Sequence, residues 1–159
     1  MERAANNRLL IYVGSLGPLG FVPASGTITV LVVGIPLFWV SRSIPLIWYV
    51  PAVLAFVLAS VWVHQRGDAA LGSKDSRVLV WDEVAGFLIA VTGVPFTWQT
   101  ALLAFLLERG LDILKIAPAK WVEDHWPGGW GVVGDDVVAG LYTLAVLQIL
   151  LRVAPSIMV

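Results

Sequence analysis

Cysteine is absent from this chain of 159 residues, and charged side chains are scarce. Without cysteine the protein cannot form disulfides, use a thiol nucleophile or build a cysteine-based zinc site. Only 13% of the residues are charged and the net charge is −1, so the chain lacks the basic stripe that nucleic-acid binding needs. Hydrophobic residues make up 58%, above the roughly 45–50% of soluble domains. These values predict a single membrane-embedded domain over residues 1–159.

Common nucleotide-binding and hydrolase motifs are also missing. Neither glycine-rich loop ends in the Gly-Lys-Ser/Thr of an NTP-binding loop, and no Gly-x-Ser-x-Gly nucleophile elbow occurs. His64 and His125 have no partner histidine at metal-ligand spacing, so we expect both to be interfacial or structural.

Apolar segments predict how the chain meets the membrane. Residues 9–41 are uncharged but interrupted by glycine and proline. We therefore expect a broken or re-entrant helix over residues 9–21, a loop at 23–26 and a helix at about 27–40. Residues 43–63 form the clearest transmembrane candidate, because about 20 apolar residues cross the hydrocarbon.

A second uncharged stretch, residues 84–107, is divided by Thr92-Gly93-Val94-Pro95. Each arm would reach only about 13–20 Å, roughly half a bilayer, which predicts a hairpin that enters and returns on one side. A further helix is expected at 137–151. Together these segments predict an all-α, polytopic membrane helical bundle with broken or re-entrant helices.

This topology places residues 64–83 and 108–136 on one side of the membrane, and the start of the 27–40 helix opens onto the same side. That side carries most of the basic residues, whereas the opposite loop offers Arg42. The positive-inside rule then predicts that it faces the cytoplasm. The basic residues are Arg66, Lys74, Arg77, Arg109, Lys115 and Lys120.

Two pairs of adjacent carboxylates, Asp82-Glu83 and Asp135-Asp136, precede apolar runs. A structural interpretation places acidic side chains at the positive end of a helix dipole, with one of the two aspartates as an N-cap. The alternative is a divalent-cation site, because neighbouring carboxylates repel unless a positive charge lies between them. Two such pairs on one membrane face favour Mg²⁺, which prefers oxygen ligands.

Arg109, Asp112 and Lys115 are spaced three apart, so we expect them along one face of a helix that Pro118 ends. Intrahelical ion pairs explain this trio, and Glu108 is expected to pair locally with Arg109. In the functional alternative, Arg109 and Lys115 bind phosphate oxygens while Asp112 orients them or binds metal. Once the mechanisms with missing motifs are set aside, these residues favour attack of metal-activated water on a phosphate monoester.

Other function classes stay open at this point. Carboxylates in a membrane protein also mark conduction paths, so a small ion or proton transporter that uses the carboxylate cluster is an alternative. A noncatalytic membrane assembly subunit is a third. The acidic residues lie at the ends of the apolar segments rather than inside them, which favours the enzyme.

Four segments resemble motifs of the phosphatidylglycerophosphatase A family and occur in the family's order. Residues 80–86, Val-Trp-Asp-Glu-Val-Ala-Gly, resemble its VWDE..G motif, and residues 109–115 are similar to its R..D..K signature. Residues 128–140 resemble its GG.G...DD..AG block, and residues 25–27, Ser-Gly-Thr, its SGT element. The sequence departs from the family at Thr29, usually glycine, and at Glu108, usually apolar or aromatic.

The resemblance implies a Mg²⁺-dependent enzyme of the bacterial inner membrane, with its active site facing the cytoplasm. It would hydrolyse phosphatidylglycerophosphate to phosphatidylglycerol and phosphate, with this phospholipid and the membrane lipids as partners and an oligomeric state that the motifs leave open. The implied catalytic residues are Asp82, Glu83, Asp112 and Asp136, the metal ligands Asp82, Glu83, Asp135 and Asp136, and the substrate-binding residues Thr27, Arg109 and Lys115.

Overall fold

The computed structural model describes residues 2–157, with side chains for residues 6–156, and this part of the chain contains helices and no strand. The helices are α1 Glu2–Gly14, α2 Ser25–Thr29, α3 Ile35–Ser41, α4 Leu46–Leu71, α5 Trp81–Ala90, α6 Trp98–Leu114, α7 Ala119–His125 and α8 Gly129–Val153. A π-helical segment, Val30–Gly34, joins α2 to α3, and short 3₁₀ turns lie at Leu19–Phe21 and Pro155–Ile157. The all-α prediction is confirmed.

Within the described residues, α4 and α8 are the two helices long and apolar enough to cross a membrane, with mean hydropathies of 2.2 and 1.7. At about 1.5 Å per residue each measures roughly 38 Å, more than the hydrocarbon thickness of about 30 Å. They run antiparallel, since the start of α8 lies beside the second half of α4. The Gly129 amide donates to Gln65 Oε1 at 2.9 Å.

Helix α8 begins well before the predicted residue 137. Asp135 and Asp136 therefore lie in its second turn, and the prediction that one of them is the N-cap is wrong. The physical reason is that Gly129 and Gly131 allow close packing at the start of α8 and do not form a flexible loop. A Cβ atom on Gly129 would overlap the Val61 carbonyl oxygen, and one on Gly131 would lie 2.6 Å from the Trp126 carbonyl oxygen.

The predicted division of residues 84–107 is present as a hairpin of α5 and α6. Thr97 and Thr100 form a reciprocal capping box that starts α6. Gln148 Nε2 donates to the Thr92 carbonyl at 3.3 Å, so the tip of the hairpin lies beside the second half of α8. Re-entry of this hairpin into the membrane stays a prediction.

Helix α6 ends at Leu114, and Lys115 follows in a left-handed conformation with φ 44°. The prediction that one helix carries Arg109, Asp112 and Lys115 up to Pro118 is therefore wrong for Lys115. The left-handed residue turns the chain toward α7, so that Lys115 faces that helix and α8.

The predicted break within residues 9–21 is present, but the predicted loop at 23–26 is wrong for residues 25 and 26, which already belong to α2. Helix α1 ends at Gly14, and the chain turns through Leu16 and Gly17, both with positive φ. The start of α2 then packs on the loop that precedes α5, where Ser25 Oγ donates to the Arg77 carbonyl at 2.7 Å.

Glycines bring α5 and α8 into close contact. A Cβ atom on Gly140 would overlap the Gly86 carbonyl oxygen, and one on Gly86 would lie 2.8 Å from the Asp136 carbonyl oxygen. Small residues let two helix backbones approach in this way. The contact places the first turns of α5 beside Asp136, while Phe38 packs edge-on against Phe87 nearer the other end.

Candidate active site

A cavity of about 660 Å³ lies where α5, α6 and α8 meet the segment before α2. Its lining includes every residue to which the sequence analysis assigns a site role. These are Thr27, Asp82, Glu83, Arg109, Asp112, Lys115, Asp135 and Asp136. The fold thus gathers motifs from distant parts of the chain, while the role of each side chain stays a prediction.

Asp82 lies in the first turn of α5, as predicted, and is held against α4. Ser60 Oγ donates to the Trp81 carbonyl at 3.3 Å, and the Trp81 ring stacks on Phe56 with centroids 5.0 Å apart. One turn further along α4, His64 Nε2 lies 3.2 Å from Asp82 Oδ1. Both side chains are buried, so Asp82 has a close nitrogen neighbour on α4.

Glu83 lies against the backbone of Gly26, where a Cβ atom would overlap Glu83 Oε1. This contact explains why the Ser25-Gly26-Thr27 segment needs glycine at its centre. Glu83 Oε2 is buried with no well-aligned hydrogen bond to any described residue, and the neighbouring Asp82 carboxyl adds like charge. A buried carboxylate in such surroundings is unfavourable unless it is neutralised, so a cation would be most stabilising here.

Arg109 contacts three carboxylates, two on its own helix α6 and one on α8. Its Nε and Nη2 atoms donate to both oxygens of Glu108 at 2.7 Å, which confirms the predicted local pair. Its Nη1 lies 3.3 Å from Asp112 Oδ2, and its Nη2 lies 3.3 Å from Asp136 Oδ1. The guanidinium is buried, and its planar fork suits several carboxylate contacts at once.

Lys115 holds the other aspartate of α8. Its Nζ donates to Asp135 Oδ2 at 2.9 Å and lies 2.7 Å from Glu123 Oε2. Burial disfavours the charged ammonium, but the hydrogen bonds to Glu123 and Asp135 outweigh it and raise the pKa of Lys115. Lys115 therefore stays cationic at neutral pH.

The cavity carries an excess of acidic side chains. Six acidic and three basic residues line it, namely Asp75, Asp82, Glu83, Asp112, Asp135 and Asp136 against Arg77, Arg109 and Lys115. Among the side chains of residues 6–156, no three aspartate, glutamate or histidine groups already converge as a metal site. Several of these carboxylates face Arg109 or Lys115 instead. The donors nonetheless suit Mg²⁺, because carboxylate oxygens are its preferred protein ligands and Glu83 Oε2 has no other partner.

Three residues near the site were not predicted to belong to it: His64, Asp68 and Glu123. His64 and Asp68 face the protein from the same stripe of α4 as Ser60 and Gly67. Small and polar residues at this spacing in an otherwise apolar helix indicate a protein-facing side, and that signal could have identified them. Glu123 lies on α7 and pairs with Lys115.

His125 lies outside the cavity lining, as the sequence indicated. Its exposed ring stacks on Trp121 with centroids 4.8 Å apart, which is consistent with an interfacial or structural role.

The family model described as Phosphatidylglycerophosphatase A matches residues 12–151. A protein named Phosphatidylglycerophosphatase A from Haemophilus influenzae is 34% identical over 102 residues, which cover 64% of this chain and 62% of the relative. Its namesake from Escherichia coli is 29% identical over 114 residues, with 71% and 66% covered. The matched region thus spans less than two thirds of either relative's length.

A relative from Bacteroides thetaiotaomicron, whose name gives phosphatidylinositol-3-phosphatase as a proposed activity, is 30% identical over 150 residues. The match covers 89% of this chain and 92% of that protein. No solved structure matches the chain.

Proposed function

Because this chain belongs to the phosphatidylglycerophosphatase A family, we propose that it hydrolyses phosphatidylglycerophosphate to phosphatidylglycerol and phosphate with the help of Mg²⁺. The observation that carries this proposal is the single cavity lined by all eight motif residues, at one end of two long apolar helices. Its acidic side chains suit a divalent cation, and its basic side chains suit phosphate oxygens.

The mouth of the cavity supports a lipid substrate. Phe21 and Ile113 line the cavity and are 64% and 73% exposed. Large apolar side chains beside a strongly polar cavity fit a molecule with a phosphate headgroup and hydrocarbon chains. Phe21 and Ile113 would contact the apolar part of that molecule while the phosphate enters the cavity.

The reaction replaces the bond between phosphorus and the glycerol oxygen with a bond between phosphorus and a water oxygen. When bound, Mg²⁺ would polarise the phosphoryl oxygens and lower the pKa of the attacking water. Lys115 and Arg109 would neutralise charge on the phosphate. A carboxylate of the cavity takes up the proton of the attacking water. The departing glycerol oxygen takes up a proton to become an alcohol.

The proposed location is the bacterial inner membrane, with the cavity facing the cytoplasm. The support comes from the basic residues in the segments around the cavity, compared with Arg42 and Arg152 at the opposite ends of α4 and α8.

Phosphate release by the purified protein tests the proposal. We would offer phosphatidylglycerophosphate, phosphatidic acid and phosphatidylinositol 3-phosphate in mixed micelles, each with Mg²⁺ and with a chelator. We expect release with Mg²⁺, fastest from phosphatidylglycerophosphate, and none with chelator. Preference for the inositol lipid would support the activity in the Bacteroides relative's name instead, and release from no lipid would refute the phosphatase assignment.

A further inference from the structure

His64 is a buried polar side chain that the reaction described above does not use. It has no exposed surface, although it lies in an apolar transmembrane helix. Its ring lies between two carboxylates, with Nε2 3.2 Å from Asp82 Oδ1 and Nδ1 3.7 Å from Asp68 Oδ2. Burying a polar group in apolar surroundings costs stability unless partners compensate, so this placement calls for a specific explanation.

Asp68 lies on the far side of the ring, at 3.7 Å from Nδ1. Besides facing His64, it accepts the backbone amides of Asp75 at 3.2 Å and Ser76 at 3.0 Å. Asp75 lines the cavity, so Asp68 joins α4 to the loop that forms one cavity wall. The chain Asp68, His64, Asp82 therefore runs from this loop through the interior to the first turn of α5.

We propose that His64 is a positioning residue that fixes the orientation of Asp82, with Asp68 holding the other side of the imidazole ring. The inference rests on the proposed function, because it gives Asp82 a place in the metal-binding set. Partners behind a metal-binding side chain commonly orient it, and their loss costs about 10–100-fold in metal affinity or activity. His64 orients Asp82 from a different helix, α4, so it also links the geometry of the cavity to the packing of α4 on α5.

Three substitutions of His64 distinguish a side chain that orients Asp82 from one that only fills space. His64→Gln keeps an amide at about the reach of Nε2, toward Asp82. His64→Asn keeps the same chemical group but is one methylene shorter, at about the reach of Nδ1, toward Asp68. His64→Phe keeps the ring volume and removes both polar atoms. Each variant is assayed for phosphate release over a Mg²⁺ series and for thermal unfolding with and without Mg²⁺.

We expect His64→Gln to stay within about threefold of the wild type, and His64→Asn and His64→Phe to lose about 10–100-fold in kcat or to require correspondingly more Mg²⁺. KM for the lipid should change little, because His64 does not line the cavity. The rise in unfolding temperature on adding Mg²⁺ should survive in His64→Gln and shrink in the other two.

Two results would overturn the proposal. One is equal behaviour of His64→Gln and His64→Asn. The other is full activity and a full Mg²⁺ shift in folded His64→Phe, even if that variant melts earlier. If the wild type releases no phosphate, the proposed function fails, but the Mg²⁺-dependent unfolding shifts still report whether His64 organises the acidic site.

Discussion

The two acidic pairs share a sequence pattern but differ in their surroundings. Asp135 and Asp136 each lie beside a permanently charged base, Lys115 and Arg109 respectively. Asp82 has a histidine for a partner, and Glu83 Oε2 has no aligned partner among the residues described. The protein therefore largely neutralises the Asp135-Asp136 pair. The Asp82-Glu83 pair keeps negative charge that a bound cation could balance.

This difference suggests a division of labour within the cavity. Arg109 anchors the pair on α8 to α6, and Lys115 anchors the same pair to α7. The geometry of these two aspartates is therefore largely fixed. The pair on α5 has less compensation and is where an added cation would lower the energy most. The following predictions test this comparison, beginning with the largest expected effect.

Removing one negative charge from either pair should abolish activity. We expect Asp82→Asn and Asp136→Asn each to reduce phosphate release at least about 100-fold, because both carboxylates are needed to hold the cation and orient the reaction. Asp124→Asn is the matched control, since Asp124 is exposed and outside the cavity lining. Near-normal activity in either folded cavity variant would show that the corresponding pair has a structural role alone.

Removing the Arg109 guanidinium that anchors the α8 pair should cost stability, in addition to the phosphate binding proposed for this residue. Arg109→Gln leaves Glu108, Asp112 and Asp136 without their shared base, and breaking a buried ion pair typically costs about 3–5 kcal/mol. The free energy of unfolding in detergent measures the loss. Arg66→Gln provides the control, because Arg66 is exposed. If Arg109→Gln and Arg66→Gln unfold alike, Arg109 is not the anchor of this pair.

Separating the two pairs should have a smaller effect on both activity and stability. In Gly140→Ala the new Cβ atom meets the Gly86 carbonyl oxygen, so α5 must move away from α8. We expect a loss of about 1–3 kcal/mol in unfolding free energy and a several-fold loss of activity.

Gly110→Ala is the matched control for that change. Gly110 also lies within a helix, but a Cβ atom there would meet nothing within 4 Å. Its substitution should be neutral or stabilising by up to about 1 kcal/mol, because alanine favours helix more than glycine does. Similar losses in the two variants would mean that close contact between α5 and α8 does not set the spacing of the acidic pairs.

The amino-acid sequence alone predicts the helical class, the break after α1, the hairpin and eight of the residues that line the cavity. These features follow from local causes: long apolar runs, glycine and proline interruptions, and rare charges at the ends of apolar segments. Because carboxylates are costly near lipid, their positions in the sequence already indicated where chemistry could occur.

The charge pairs between helices depend on tertiary packing. Sequence spacing relates residues on one helix, whereas His64 meets Asp82, and Arg109 meets Asp136, across helix interfaces. Those contacts depend on how closely the backbones approach at Gly86 and Gly140, and on the left-handed turn at Lys115. Neither hydropathy nor charge pattern encodes such distances, because they arise from the packing of segments far apart in the chain.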